Sequence, residues 1–160
     1  MEIVNVEAIS DTIIRDFLEL HWGSTKMVVS SGSYDCTILD GFAALNDQAR
    51  LIGLVTYIIH DVECEIISLD SIVEGEGIGT SLVHSVEKTA MDLQCRKLTL
   101  ITTNDNLTAI AFYQKRGFRF SRILHNAVEQ ARKIKPEIPM TGNHGIPIID
   151  EIEMTKRFNP

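Results

Sequence analysis

Proline is missing from the first 135 residues of this chain; Pro136, Pro139, Pro147 and Pro160 all fall behind them. Nothing in that stretch therefore locks φ or removes a backbone donor, and the irregular segment is expected at the C-terminal end. Cysteine is scarce as well. Cys36, Cys64 and Cys95 are an odd number with no CxxC spacing, which excludes a disulfide framework or a structural zinc site. Basic charge is in deficit, 15 Lys and Arg against 22 Asp and Glu, for a formal net charge of −7. A dedicated nucleic-acid binder needs a basic face to displace counterions from phosphates, so no nucleic-acid partner is expected, although the net charge leaves room for a local basic patch. Long apolar runs are absent too: Leu51 to Ile59 is strand-length and is broken by Gly53 and Thr56, too short to span a bilayer. The start, Met1-Glu2-Ile3-Val4, has neither the basic nor the apolar region of a signal peptide, so a reducing cytoplasm is expected, with no membrane partner and no metal.

What remains is an ordinary globular composition, 44% hydrophobic and 23% charged over 160 residues. A chain of this length is expected to form one domain and bury roughly 70% of its unfolded surface. There is no internal repeat. Glu2 to Ala8 reads as a strand, and Ser10-Asp11 as the cap of a helix carrying Ile13, Ile14, Phe17 and Leu18 and stopped by Gly23. Ser30 to Asp35 takes no clear assignment. Ile38 to Leu45, Leu51 to His60 and Glu63 to Leu69 read as strands, the first two joined by Asn46-Asp47-Gln48-Ala49. A helix follows with Ile78, Leu82, Val83, Val86, Ala90 and Leu93 on one stripe. Lys97 to Thr102 reads as a strand, Leu107 to Lys115 as a helix and Phe118 to Ile123 as a strand. Residues 125–160 form a variable end: a helix from Asn126 to Lys133, a Pro/Gly loop, and a strand around Ile148 to Lys156. Strands alternating with helices make the fold class α/β or α+β.

The most informative junction is Glu74-Gly75-Glu76-Gly77-Ile78-Gly79-Thr80. Alternate glycines between a strand and a helix leave backbone N–H groups open at the positive end of the helix dipole, a physical recipe for holding a pyrophosphate. A Walker A loop would need a lysine after Gly79, where Thr80-Ser81 stands. A dinucleotide GxGxxG would need glycine at position 80 or 82, where Thr80 and Leu82 stand. A purely structural turn is the remaining alternative.

A second motif bears on the choice. Asn106-Leu107-Thr108-Ala109-Ile110-Ala111-Phe112-Tyr113-Gln114-Lys115-Arg116-Gly117-Phe118 closely resembles the Asn-x-x-Ala-x-x-(Leu/Phe)-Tyr-x-x-x-Gly-Phe signature of the GNAT acetyltransferase superfamily. The glycine loop resembles that superfamily's (Gln/Arg)-x-x-Gly-x-(Gly/Ala) motif, and the two stand in the family's order across Glu63 to Phe118. Lys135-Pro136-Glu137-Ile138-Pro139 with Gly145-Ile146-Pro147-Ile148 resembles a feature of one bacterial branch. The resemblance implies a mixed, splayed central sheet flanked by helices and acetyl-CoA as co-substrate. It further implies a pyrophosphate on the amides of Gly75, Glu76, Gly77, Ile78, Gly79 and Thr80, and pantetheine beside Leu69, Ser71 and Ile72. Asn106, Ala109, Phe112 and Tyr113 would flank the arm and thioester. Lys115 is either near the phosphates or simply solvated. One departure stands out: the family's loop begins with Gln or Arg, and here Glu74 and Glu76 bring negative charge, which should weaken CoA binding.

Acetyl transfer to an amine needs a base, an acid for the departing thiolate and stabilisation of the oxyanion. By the resemblance Tyr113 is the acid. Glu65, on the strand leading to the loop, is placed like the base of the histone-acetylating branch, with Asp70 or an ordered water as its rivals. His125, Arg132, Lys133 and Lys135 are candidates to shape an acceptor pocket. Asp150 shares strand parity with Ile148, Ile152 and Met154 and is expected to turn inward. The leading expectation is a direct N-acetyl transfer to a primary amine, on a small molecule. A CoA-binding regulatory module with little catalysis, or a protein N-acetyltransferase, are the alternatives. A homodimer is compatible with either.

Overall fold

Ser10 ends the first extended stretch and starts the first helix, its hydroxyl accepting from the Ile13 N–H at 3.3 Å. The computed structural model describes residues 1–158, and two units pack internally: Met1–Met27 with Tyr34–Leu98, and Val28–Ser33 with the chain from Thr99 onward. The fold is mixed α/β, with a mostly antiparallel sheet flanked by helices. Among the described residues no helix is long and apolar enough to cross a membrane.

The first unit holds β1 (Glu2–Asn5), α1 (Asp11–Trp22), β4 (Asp40–Leu45), β5 (Leu51–His60), β6 (Glu63–Ser71) and α2 (Ile78–Asp92), while β2 (Lys26–Val29) and β3 (Gly32–Asp35) each contribute residues to both units. β1 is shorter than expected, because Asn5 caps a turn of 3-10 helix over Val6–Ala8. Gly23, at φ 73°, closes α1 by donating its N–H to Glu19 O. The unassigned stretch from Ser30 to Asp35 proves to be the turn and second strand of the β2–β3 hairpin. β1, β4, β5 and β6 pair antiparallel in the order β1-β4-β5-β6. Between β4 and β5, Asn46 Oδ1 accepts from the Gln48 and Arg50 amides at 3.0 Å each, so the polar side chain replaces a backbone turn.

Both faces of this unit are covered. Ile14, Phe17 and Leu18 of α1 pack on Leu54 of β5 and Ile67 of β6. On the other face α2 buries Ile78, Leu82, Val83, Val86 and Ala90, while Leu93, expected on the same stripe, lies past the helix end and is exposed. A Cβ on Gly53 would come 2.5 Å from Ile78 Cγ2 and 3.1 Å from Leu82 Cδ1. Gly53 thus lets the start of α2 sit directly on β5.

The second unit holds β7 (Lys97–Thr103) from Thr99 on, α3 (Leu107–Lys115), β8 (Arg119–Leu124), α4 (Ala127–Ile134) and β9 (Glu151–Arg157). β9 lies between β7 and β8 and runs antiparallel to β8. Ile148 and Asp150 precede β9, which corrects the parity reading. The buried carboxylate is Glu151, 1% exposed, taking hydrogen bonds from the Ser30 N–H (2.8 Å) and hydroxyl (2.5 Å). Asp150 instead accepts the Asn126 N–H at 2.8 Å.

The Pro/Gly segment is tied down by polar side chains. Arg132 donates to the carbonyls of Ile138, Pro139 and Ile148. Asn104 donates to Pro147 O and accepts from the Ile149 and Asp150 amides. Asp105, 3% exposed, accepts from the Asn143 amide and side chain.

Gly53→Ala is expected to cost about 1–3 kcal/mol by overpacking, because Ile78 is buried and has nowhere to withdraw. Urea denaturation of the variant checks this.

Candidate functional site

The glycine loop leaves β6 and enters α2. Gly75 (φ 81°) and Gly77 (φ 77°) are left-handed, and a Cβ on either would meet nothing within 4 Å. The glycines serve the backbone path and not a steric squeeze. Gly77 is the N-cap residue and brings no side-chain cap. The first intrahelical bond is Ser81 N–H to Gly77 O at 3.0 Å, so the amides of Ile78 and Gly79 point out of the helix end. That cradle suits a phosphate. Glu74 and Glu76 are exposed, so water screens both charges. Lys115 is also exposed.

β6 carries one irregularity. Ser68 lies opposite Thr56 and Ile66 opposite Tyr57, leaving Ile67 without a partner on β5: a β-bulge. Simple alternation would set Glu65 and Asp70 on opposite faces. With one extra residue between them, Glu65 (opposite Ile58), Ser68 (opposite Thr56) and Asp70 (opposite Leu54) share the face that α1 covers. Thr56 and Ser68 hydroxyls bond there at 2.6 Å. Asp70 Oδ1 accepts the Ser71 N–H at 2.8 Å, and His21 Nδ1 of α1 lies 3.2 Å from Asp70 Oδ2. Burial pushes the Asp70 carboxyl up from the ordinary value; His21 and the Ser71 amide pull it down, and Glu74 pushes it further up.

The end of β6 has a defined hydrogen-bonding side. The Ile72 N–H donates to Ile52 O at 2.9 Å. Alternation then turns the backbone groups of Leu69 and Ser71 away from β5.

In the second unit, Asn106 caps α3 by accepting the Ala109 N–H at 3.3 Å. Tyr113 is 6% exposed, with its ring edge-on to Phe112 and Phe118 at 5.1 and 5.2 Å. Burial drives its phenol far above the ordinary value, opposed slightly by Arg116. The Arg116 guanidinium stacks 3.5 Å over the Phe112 ring and donates to Phe112 O at 2.7 Å. Of the basic side chains expected near an acceptor, Arg132 is committed to backbone carbonyls, Lys133 donates to Gln130, and His125 is exposed, 3.9 Å from Asp150.

His21 was missed by sequence reading. Its only signal is an imidazole on the same helical face as Phe17, and the ring centroids lie 4.3 Å apart. Glu151 was missed for a different reason: the strand was expected from Ile148, three residues before β9 begins.

All three cysteines are buried and lie outside any disulfide. Burial pushes the Cys64 thiol up to about 12 and raises Cys95 as well, so neither offers a thiolate nucleophile at neutral pH.

The sequence matches the Acetyltransferase (GNAT) family over residues 14–118. Two Bacillus subtilis (strain 168) proteins are similar throughout. YxbD is 48% identical over 158 residues, covering 99% of each chain, and YdhI is 50% identical over 156, covering 98% of each. A Bacillus subtilis acetyltransferase solved in complex with CoA superposes with a TM-score of 0.71 over 99% of each chain, at 16% identity. At that identity the superposition speaks for the fold.

Because Glu74 and Glu76 are solvated, removing their charge is expected to tighten CoA binding by only about 2–5-fold, the scale of exposed ionic interactions. Titration calorimetry of the Glu74→Gln, Glu76→Gln double variant at low and physiological salt reads this out, with the gain shrinking as salt rises.

Proposed function

The chain belongs to the GNAT acetyltransferase family, which makes it an acetyl-CoA-dependent acetyltransferase, and from that premise we propose that it transfers acetyl to a primary amine of a small molecule by direct attack. The observation that carries this reading is the uncapped, left-handed glycine loop running from β6 into α2. Acetyl-CoA supplies an activated thioester. The Ile78 and Gly79 amides, with the rest of the loop from Gly75 to Thr80, bind its phosphates. Leu69 and Ser71 offer backbone groups to the pantetheine arm. Asn106, Ala109 and Phe112 are the α3 residues that the family motif assigns to that arm.

Tyr113 gives a proton to the departing thiolate. Its burial keeps the hydroxyl protonated at neutral pH, so the proton is present when the thiolate forms. The attacking amine loses its proton to a carboxylate on the α1-covered face of β6, where Glu65 and Asp70 both stand. The raised, buried thiols of Cys64 and Cys95 support direct attack over an acyl-cysteine intermediate, and cysteines outside any disulfide suit a cytoplasmic setting. The small acceptor is the expectation carried over from the C-terminal segment, whose loop over residues 135–147 is tied in place by Arg132 and Asp105.

A second reading, a CoA-binding regulatory module with little catalysis, draws on Glu74 and Glu76 beside the phosphate cradle. Thiol release from acetyl-CoA with ethanolamine, benzylamine, spermidine and an alanine-terminated peptide separates the readings. Turnover with one of the three small amines supports the enzyme. CoA binding with no turnover favours the module, and turnover confined to the peptide makes the acceptor a protein.

Tyr113→Phe is expected to lower kcat by about 100-fold while CoA affinity stays within about twofold, since the ring packing survives. A phenol raised above the ordinary 10.0 also contributes no alkaline loss of activity below that pH; the rate profile of the wild type up to pH 10 tests this.

A further inference from the structure

We infer that Asp70 is the group that takes the proton from the attacking amine, and that His21 of α1 is the residue that positions it. This rests on the acetyltransferase reading and assigns the base that reading leaves open between two carboxylates. In the step, the amine nitrogen forms a bond to the thioester carbonyl carbon and the carbon–sulfur bond breaks. The N–H proton passes to Asp70, and the thiolate takes a proton from Tyr113.

Four observations lead to Asp70. It lies between Leu69 and Ser71, the residues whose backbone groups face away from β5, whereas Glu65 is displaced about 15 Å along the strand. Both oxygens of its carboxylate have a polar neighbour: Oδ1 accepts the Ser71 N–H, and His21 Nδ1 lies 3.2 Å from Oδ2. The side chain is 27% exposed, which leaves it reachable by a ligand. Its carboxyl is also raised, which suits a proton acceptor at neutral pH. The charged groups facing it are His21 from α1 and Glu74 from the loop, with Glu65 farther along the same face; Leu54, opposite it on β5, has none.

His21 supplies the strongest argument. Its Nε2 is fully buried and no protein atom within hydrogen-bond distance pairs with it. Such an atom destabilises a fold, and a structural residue at this place would do better as an aliphatic side chain. The ring is nevertheless fixed by Phe17 on one side and Asp70 on the other. Nδ1 is the ring nitrogen that faces a partner, 3.2 Å from Asp70 Oδ2, so a neutral imidazole is expected to carry its proton there. What the arrangement secures is the orientation of that carboxylate.

The test uses the full-length protein and the panel amine with the fastest wild-type turnover. Asp70→Asn is expected to lower kcat/KM at least about 100-fold and to abolish the acidic limb of its pH profile. CoA affinity should hold, and Tm should be unchanged or higher, since a raised carboxyl does not stabilise the folded state at neutral pH. Histidine 1H–15N spectra should show the Nδ1–H tautomer of His21 in the wild type and its loss in Asp70→Ala, which leaves Nδ1 no acceptor, a readout that needs no turnover. His21→Ala removes the group that pulls the Asp70 carboxyl down, so its acidic limb should move to higher pH; this variant also decides the matter if Asp70→Asn does not fold. Wild-type kcat/KM with an intact limb in Asp70→Asn overturns the inference. So does loss of the limb in Glu65→Gln with its survival in Asp70→Asn, or an unmoved limb in His21→Ala. Silence of the wild type itself on every amine sinks the underlying acetyltransferase reading and this assignment with it, an outcome recognisable without any variant.

Discussion

A β-strand alternates its side chains between two faces, and β6 breaks that rule once, at Ile67. The apolar side chain at the break joins the core under α1, beside Phe17, Leu18 and Leu54. Everything after it on β6 is turned over relative to everything before. Cys64 and Ile66 pack as core residues, then Asp70 comes round to the same face as Glu65. The hydroxyl pair of Thr56 and Ser68 closes the gap in the ladder next to the break. A polar row is thereby assembled on a face that α1 otherwise seals with hydrocarbon. Burial raises the free energy of the carboxylate in that row, and His21 with the Ser71 amide restores part of what burial takes away.

The position of the glycine loop depends on a second, simpler constraint. Ile78 seats against bare backbone at Gly53, so the first turn of α2 meets β5 closely and the loop leaves β6 without slack. Left-handed residues at 75 and 77 make the sharp path possible. The acidic stretch from Asp61 to Glu76, six carboxylates with no basic residue, is then handled piecemeal. Glu63 pairs with Lys97 at 3.0 Å and Asp70 with His21 at 3.2 Å, while Glu74 and Glu76 stand in water. The basic run from Arg119 to Lys135 is similarly dispersed, with Arg122 on Glu153 and Arg132 on carbonyls. Linear charge density said little about local potential in either stretch.

Local signals were legible where one interaction decides the structure. The Ser10 cap, the Gly23 stop and the bounds of α3 were all readable, because each rests on residues within a few positions of one another. The two motifs around the glycine loop and α3 were legible for the same reason. The β2–β3 hairpin was not, since its short strands, Lys-Met-Val-Val and Gly-Ser-Tyr-Asp, carry little alternation. Nor was the Asp70–His21 pair, because it needs a bulge in one strand and a helix from fifty residues earlier. The inward carboxylate near the C-terminus was placed one residue early, and in a strand one residue is a change of face.

The anchors of the segment between Lys135 and Asp150 have a consequence for how such a protein diversifies. Arg132, Asn104 and Asp105 hold it almost entirely through main-chain carbonyls and amides. Main-chain groups are the same whatever side chain sits on them. The side chains of that loop are therefore free to drift while its path is retained. A lineage carrying the three anchors can change what the loop presents to its surroundings by single substitutions, with no intermediate in which the loop comes loose.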